Sequence, residues 1–349
     1  MLKPTRFAAI VGALLLLPVL ARAGLMPAGT EFEVNTYTTL DQFDPSVCKA
    51  PDGSFVVVWQ SDAGNDGDGY GVFAQRYASS GAALGTEFQV NTYTTQNQTN
   101  PDVCCDAAGD FVVVWRSYGQ DGDSAGVFGQ RFASGGAFQG TEFQVNTYTL
   151  SYQGMAKVCC DAAGEFVVVW QSSYQDGNLE GIFAQRFASG GAFAGTEFQV
   201  NTYTANGQSF PAVCCDATGD FVVAWESYHQ DGYSEGVFGQ RFASSGAPRG
   251  TEFQVNTYTT QDQGDPALCC DKEGDFTVVW SSFGQDGYDE GVFGQRFASG
   301  GVARGTEFQV NTYTTARQFV PSVCKAADCC RTTRAGPRHG SLTSRGRRR

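Results

Sequence analysis

The stretch "CCDAAGDFVVVWRSYGQDGDSAGVFGQRF", Cys104–Phe132, returns in near copy four more times along the 349-residue chain. Its centre, "FVVVW" at Phe111–Trp115, is an unbroken apolar run rich in β-branched residues, with a "DAAGD" turn before it and a Gly-rich segment after it. Such a run reads as a strand buried on both faces. "PDVCC" before the turn pairs with it as a hairpin. "GVFGQRF" and the following "EFQVNT" form a second hairpin through "ASGGAFQG". Each unit is therefore a four-stranded antiparallel meander with glycine at each connection.

Working outward, the phrase "GTEF" begins at Gly29, Gly85, Gly140, Gly195, Gly250 and Gly305, so the units follow one another every 55 or 56 residues. No helical periodicity interrupts them. Four strands in about 55 residues, repeated without linkers, describe the blades of a β-propeller, since a sheet this small buries no core alone and needs neighbours on both sides. The expected fold is all-β, with five complete blades around a channel lined by the "VCC" strands. Glu31–Thr38 and Pro321–Cys324 contribute to an incomplete sixth blade.

Around this body, residues 1–23 read as a secretory signal: Lys3 and Arg6, an apolar run from Phe7 to Leu20, then Ala21-Arg22-Ala23. The propeller spans 24–324, and 325–349 is a basic tail of low hydrophobicity with no strand pattern, read as disordered. The leader holds three basic groups and the tail eight, with Asp328 as the tail's sole acid, which leaves the body with 35 acidic and 12 basic residues. That balance repels phosphate backbones and argues against nucleic acid as a partner. No segment of the mature chain is long and apolar enough to span a bilayer as a helix, so the expected location is outside the cytoplasm: secreted, periplasmic or at the cell surface.

The body also resembles a family of repeats of the form "GGFVVTWxSxxQDGxxxGVYxQRF…GxEFxVNT" in large secreted bacterial proteins, as "GDFVVVWRSYGQDGDSAGVFGQRF" at Gly109–Phe132 illustrates. The resemblance covers Gly29 to about Cys324. It implies a propeller-like repeat, export, and the company of adhesin-like and calcium-binding modules.

The chemistry-bearing residues are few in kind. Histidine is limited to His229 and His339, too little for His-based nucleophilic or metal catalysis. Eight of the twelve cysteines are adjacent pairs in the first strands of the units, Cys104-Cys105, Cys159-Cys160, Cys214-Cys215 and Cys269-Cys270. Neighbours in a strand point to opposite faces and cannot bridge to each other; the first reading is small residues packed near the channel, the second disulfides between blades. The drifting segments, "QDG" loops and blade-to-blade connections, share one face of the ring, where loops carry function. Candidate ligand-binding residues there are Trp59, Trp115, Trp170, Trp225 and Trp280 as sugar-stacking platforms, with Asp121, Asp176, Asp231 and Asp286 of the Asp-Gly turns. Asp62, Asp66 and Asp68 in "DAGNDGDGYG" are the candidate calcium ligands, being three closely spaced carboxylates on a flexible loop. Arg76, Arg131, Arg186, Arg241 and Arg296 are expected to pair with acids on the adjacent strand. No acid pair stands out from the repeated background. The leading expectation is an exported, non-enzymatic protein binding an extracellular ligand or surface partner, possible ligands being a glycan or calcium. The alternatives are a carbohydrate-active enzyme using carboxylates and a structural extracellular component.

Overall fold

The computed structural model describes residues 31–62 and 66–324, so the leader and the basic tail lie outside the described residues. Contacts divide the chain after Glu33, and the strands all belong to the unit from Val34 onward. The strands run β1 (Gln42–Lys49), β2 (Phe55–Ser61), β3 (Gly71–Tyr77), β4 (Phe88–Gln89), β5 (Gln98–Cys105), β6 (Phe111–Tyr118), β7 (Ala125–Phe132) and β8 (Phe143–Gln144). They continue as β9 (Gln153–Cys160), β10 (Phe166–Ser173), β11 (Glu180–Phe187), β12 (Phe198–Gln199), β13 (Gln208–Cys215) and β14 (Phe221–Tyr228). The last six are β15 (Glu235–Phe242), β16 (Phe253–Gln254), β17 (Gln263–Cys270), β18 (Phe276–Phe283), β19 (Glu290–Phe297) and β20 (Phe308–Gln309).

They form five sheets of four consecutive antiparallel strands, the expected blades. Within a blade the register sets Trp115 opposite Phe128 and Phe111 opposite Phe132, whose rings stack with centroids 4.8 Å apart. The core lies in the seams between blades. Val112, Val114 and Val127 of the second blade pack on Val158, Phe166, Val168 and Trp170 of the third, while Val113 and Trp115 face the first. This is why "FVVVW" is apolar on both sides: each blade is another's solvent shield, and each buried aromatic contributes about 1.5–3 kcal/mol by leaving water.

Two details differ from the sequence expectation. The outer strand is short, only Phe88–Gln89 in the first blade, because Asn91 of "VNT" leaves the ladder to do other work. Its Oδ1 accepts the Val72 N–H at 2.7 Å and its Nδ2 donates to Gln98 Oε1 at 3.1 Å, fixing the blade-to-blade connection. The inner strand starts earlier than expected, at Gln98, and carries a bulge where the register breaks between Thr99 and Asp102.

Neither segment expected in a sixth blade forms a strand, yet residues in or next to both make the contacts seen between complete blades. Thr36 gives its N–H and hydroxyl to Glu87 Oε2 at 2.7 and 2.8 Å, the contact that Thr92 makes with Glu142 between complete blades. Val320 donates its N–H to Ser281 Oγ at 3.0 Å, as Asn100 does to Gln60 Oε1 at 2.7 Å. Inner strands pack in the order β1, β5, β9, β13, β17, and no seam of that kind joins β17 to β1.

Candidate functional site

Two cavities lie on the ring axis. The wider, about 310 Å³, is the expected channel, walled by the cysteine ends of the five inner strands, with Asp106, Asp161, Asp216 and Asp271. Its wall is committed to structure. Four disulfides step around it from blade to blade: Cys48–Cys105, Cys104–Cys160, Cys159–Cys215 and Cys214–Cys270, each with Cα atoms 5.6 Å apart. The first reading of the cysteines, as packing residues, is corrected: opposite-facing neighbours in one strand reach the strands on either side, which suits inter-blade bridges. The aspartates cap turns, Asp106 Oδ1 accepting the N–H groups of Ala108 and Asp110 at 2.8 and 2.9 Å.

The second cavity, about 130 Å³, opens where the inner strands begin. Its wall is built by the bulges. Asp44, Asn100, Met155, Phe210 and Asp265, with Val320 behind β17, hold left-handed backbone with φ of 50–54°. A residue other than glycine in that region is under strain, and here the bulge aims it. One structural position thus carries four residue types in five blades of an otherwise monotonous repeat, with aspartate in the first and the last. The side chains two positions on, Ser46, Asp102, Lys157, Ala212 and Ala267, vary as widely. Asn100 Nδ2 donates to Asp44 Oδ2 at 3.0 Å, orienting that carboxylate. Behind Asp265 stands Glu226 of β14, 8% exposed, with Oε1 accepting the Ser209 hydroxyl at 2.9 Å and Oε2 the Asp265 N–H at 3.3 Å. Burial, reinforced by the charges of Glu235 and Asp265, pushes the Glu226 carboxyl up to about 8. Burial raises Glu235 as well, with Asp262 and Asp265 adding to it.

The residues singled out from the sequence fare differently. Trp115, Trp170, Trp225 and Trp280 are fully buried and Trp59 nearly so, and their rings fill the seams. As stacking platforms they are corrected, since no ring face is open to the solvent side. Asp121, Asp231 and Asp286 turn inward at their loops, each with Oδ2 buried against a glycine, Gly126, Gly236 or Gly291, while Asp176 Oδ2 accepts from Gln199 Nε2 at 3.2 Å. Asp66 packs on Gly71 in the same way, and Asp68 Oδ2 accepts the Gln96 N–H at 3.0 Å. Residues 63–65, between Asp62 and Asp66, lie outside the described residues, and among the described ones no group of three or more acids, histidines or cysteines is placed to hold a metal ion. The repeated arginines do not pair with acids on the adjacent strand. Arg76 and Arg131 donate to the carbonyls of Gly135 and Gly190, and Arg186 and Arg241 to those of Ser244 and Ser299 at 2.5 and 2.8 Å, each across to the next blade's turn. The mouth carboxylates were missed because Asp44 and Asp265 stand at opposite ends of the chain. The available signal was the pre-proline position of the first strand, where the units disagree.

No family model matches the chain, and none of the curated proteins does. Solved structures do match. A protein of unknown function from Dyadobacter fermentans superposes with TM-score 0.54 at 12% identity over 83% of this chain and 89% of its own. An α-L-arabinofuranosidase from Fusarium graminearum, solved with an iminosugar inhibitor, superposes with TM-score 0.53 at 11% identity, covering 82% and 85%. At such identity the likeness shows the fold. The chain is a β-propeller. The expectation of a non-enzymatic binding protein is corrected: an arabinofuranosidase has this fold, so the propeller by itself does not set the chain apart from enzymes.

Proposed function

We propose that this propeller is a carbohydrate-active enzyme that hydrolyses glycosidic bonds at the mouth cavity. The observation that carries this reading is a cavity lined by both Asp44 and Asp265, brought there by the bulged inner strands of the first and last blades. Glycoside hydrolysis needs one carboxyl group to protonate the leaving oxygen and another to act on the anomeric side. Asp265, whose N–H is held by Glu226 Oε2 at 3.3 Å, is assigned as the proton donor. Asp44, held by the Asn100 amide, is the partner carboxylate. Met155 and Phe210 supply an apolar wall for the sugar ring. Export belongs to the same proposal, supported by the residue 1–23 leader and by four disulfides that persist in an oxidising compartment.

The test is reducing-sugar release from a panel of arabinans, xylans and pectic glycans, with aryl glycosides for kinetics. Asp44→Asn and Asp265→Asn should each lower kcat/KM by about 100-fold or more while leaving Tm unchanged. Absence of turnover across the panel, or full activity in both variants, would overturn the reading.

A further inference from the structure

The charge around the mouth is laid out unevenly. Lys157 of β9 is the single basic side chain in the cavity wall, in a body dominated by acids. It makes no ion pair or hydrogen bond among the described residues. The acid on the neighbouring inner strand, Asp102, is committed elsewhere, taking the Ser46 hydroxyl on Oδ1 and the Val158 N–H on Oδ2, both at 2.8 Å. Lys157 is half-buried and lines the cavity, and its position is filled by serine, aspartate or alanine in the other blades.

A second observation marks the same seam. The residue after the blade tryptophan is Gln60, Gln171 and Ser281 in three blades, but Arg116 in the second and Glu226 in the fourth. Arg116 donates to Thr99 Oγ1 at 2.7 and 3.0 Å and to Tyr152 Oη at 2.6 Å, with no carboxylate against it among the described residues. Its guanidinium also lies over the rings of Tyr118 and Tyr152. The base in the wall thus stands on β9, beside the seam that holds Arg116, while the wall acid Asp265 stands on β17, beside the seam that holds Glu226. Around the ring β9 stands two strands from β1 and two from β17, across from the carboxylates.

We infer that the mouth binds a glycan bearing an anionic substituent, a uronate carboxylate or a sulfate ester, and that Lys157 reads that charge while the sugar ring rests between it and Asp44 and Asp265. This inference rests on the hydrolase reading for its sugar, but the two fail separately. A charge-assisted contact from Lys157 favours the anion by about 10- to 100-fold.

The experiment is titration calorimetry on Asp265→Asn in three backgrounds, Lys157, Lys157→Met and Lys157→Arg. The probes are an oligogalacturonide, its methyl ester and a sulfated galacto-oligosaccharide. The expected result is at least about tenfold tighter binding of a charged probe than of the ester. Lys157→Met should bring the two to parity and Lys157→Arg should keep the preference. Preference for the uronate or for the sulfated probe identifies the source of the charge. Equal binding of charged and esterified probes, no binding of any probe, or a preference untouched by Lys157→Met would overturn the inference. Lys157-dependent binding in a chain that cleaves nothing would leave it standing while the hydrolase reading falls. Cleavage of neutral glycans without any charge preference would do the reverse.

Discussion

Glu226 shows how one residue departs from its repeat. Gln60 and Gln171 hold the bulge N–H of the next blade with a neutral amide oxygen, and Glu226 does the same for Asp265 with a carboxyl group. The acids facing it are Glu235 and Asp265. A carboxyl raised from 4.5 to about 8 in the folded state favours folding fully below pH 4.5, and that contribution is lost as pH rises through 8. Glu226→Gln should therefore raise stability at pH 8 by about 2 kcal/mol and change it little at pH 4.5. Denaturant unfolding at both values checks this. A variant equally destabilised at both would show that the seam needs the carboxyl itself.

Among elements, the "QDG" loop is held by packing and by hydrogen bonds. Its aspartate lies over a glycine of the third strand, as Asp121 lies over Gly126, where a Cβ would meet the carboxylate and the Phe128 ring. Its glutamine reaches the "GTEF" glutamate, Gln120 Nε2 donating to Glu142 Oε1 at 2.5 Å, and that glutamate holds Thr92 on the blade before. Loop, outer strand and neighbouring blade thus form one chain of hydrogen bonds. Gly126→Ala should cost about 1–3 kcal/mol, whereas Gly135→Ala, with open space around it, should stay within about 0.5 kcal/mol of wild type. Comparable losses at both sites in thermal unfolding would refute the packing account.

For the whole molecule, the disulfides bind the ring in series. Each joins consecutive blades across 56 or 57 residues of chain, a span for which loop closure in the unfolded state gives about 4 kcal/mol per bridge as an upper figure. Reduction under native conditions should lower Tm by about 10 °C or more, measured by calorimetry with and without reductant. An unchanged Tm, with eight thiols newly titratable, would show that seam packing alone holds the ring.

The sequence by itself determined the repeat, the four strands of each blade and the two-sided burial of "FVVVW". These are local properties, written in hydrophobic runs, turn glycines and a fixed period, and the five copies repeat them. The tertiary structure decided the rest. Whether a tryptophan at a strand end meets sugar or a neighbouring blade depends on which seam it enters, and all five enter seams. Adjacent cysteines are unable to bridge within a strand, yet the ring brings both members of three pairs, and Cys270 of the fourth, against a cysteine one blade away. Asp44, Lys157 and Asp265 share a cavity because a ring converts distance along the chain into angle about an axis. The bulges then aim side chains inward at a position that the linear pattern marks only by its disagreement from blade to blade.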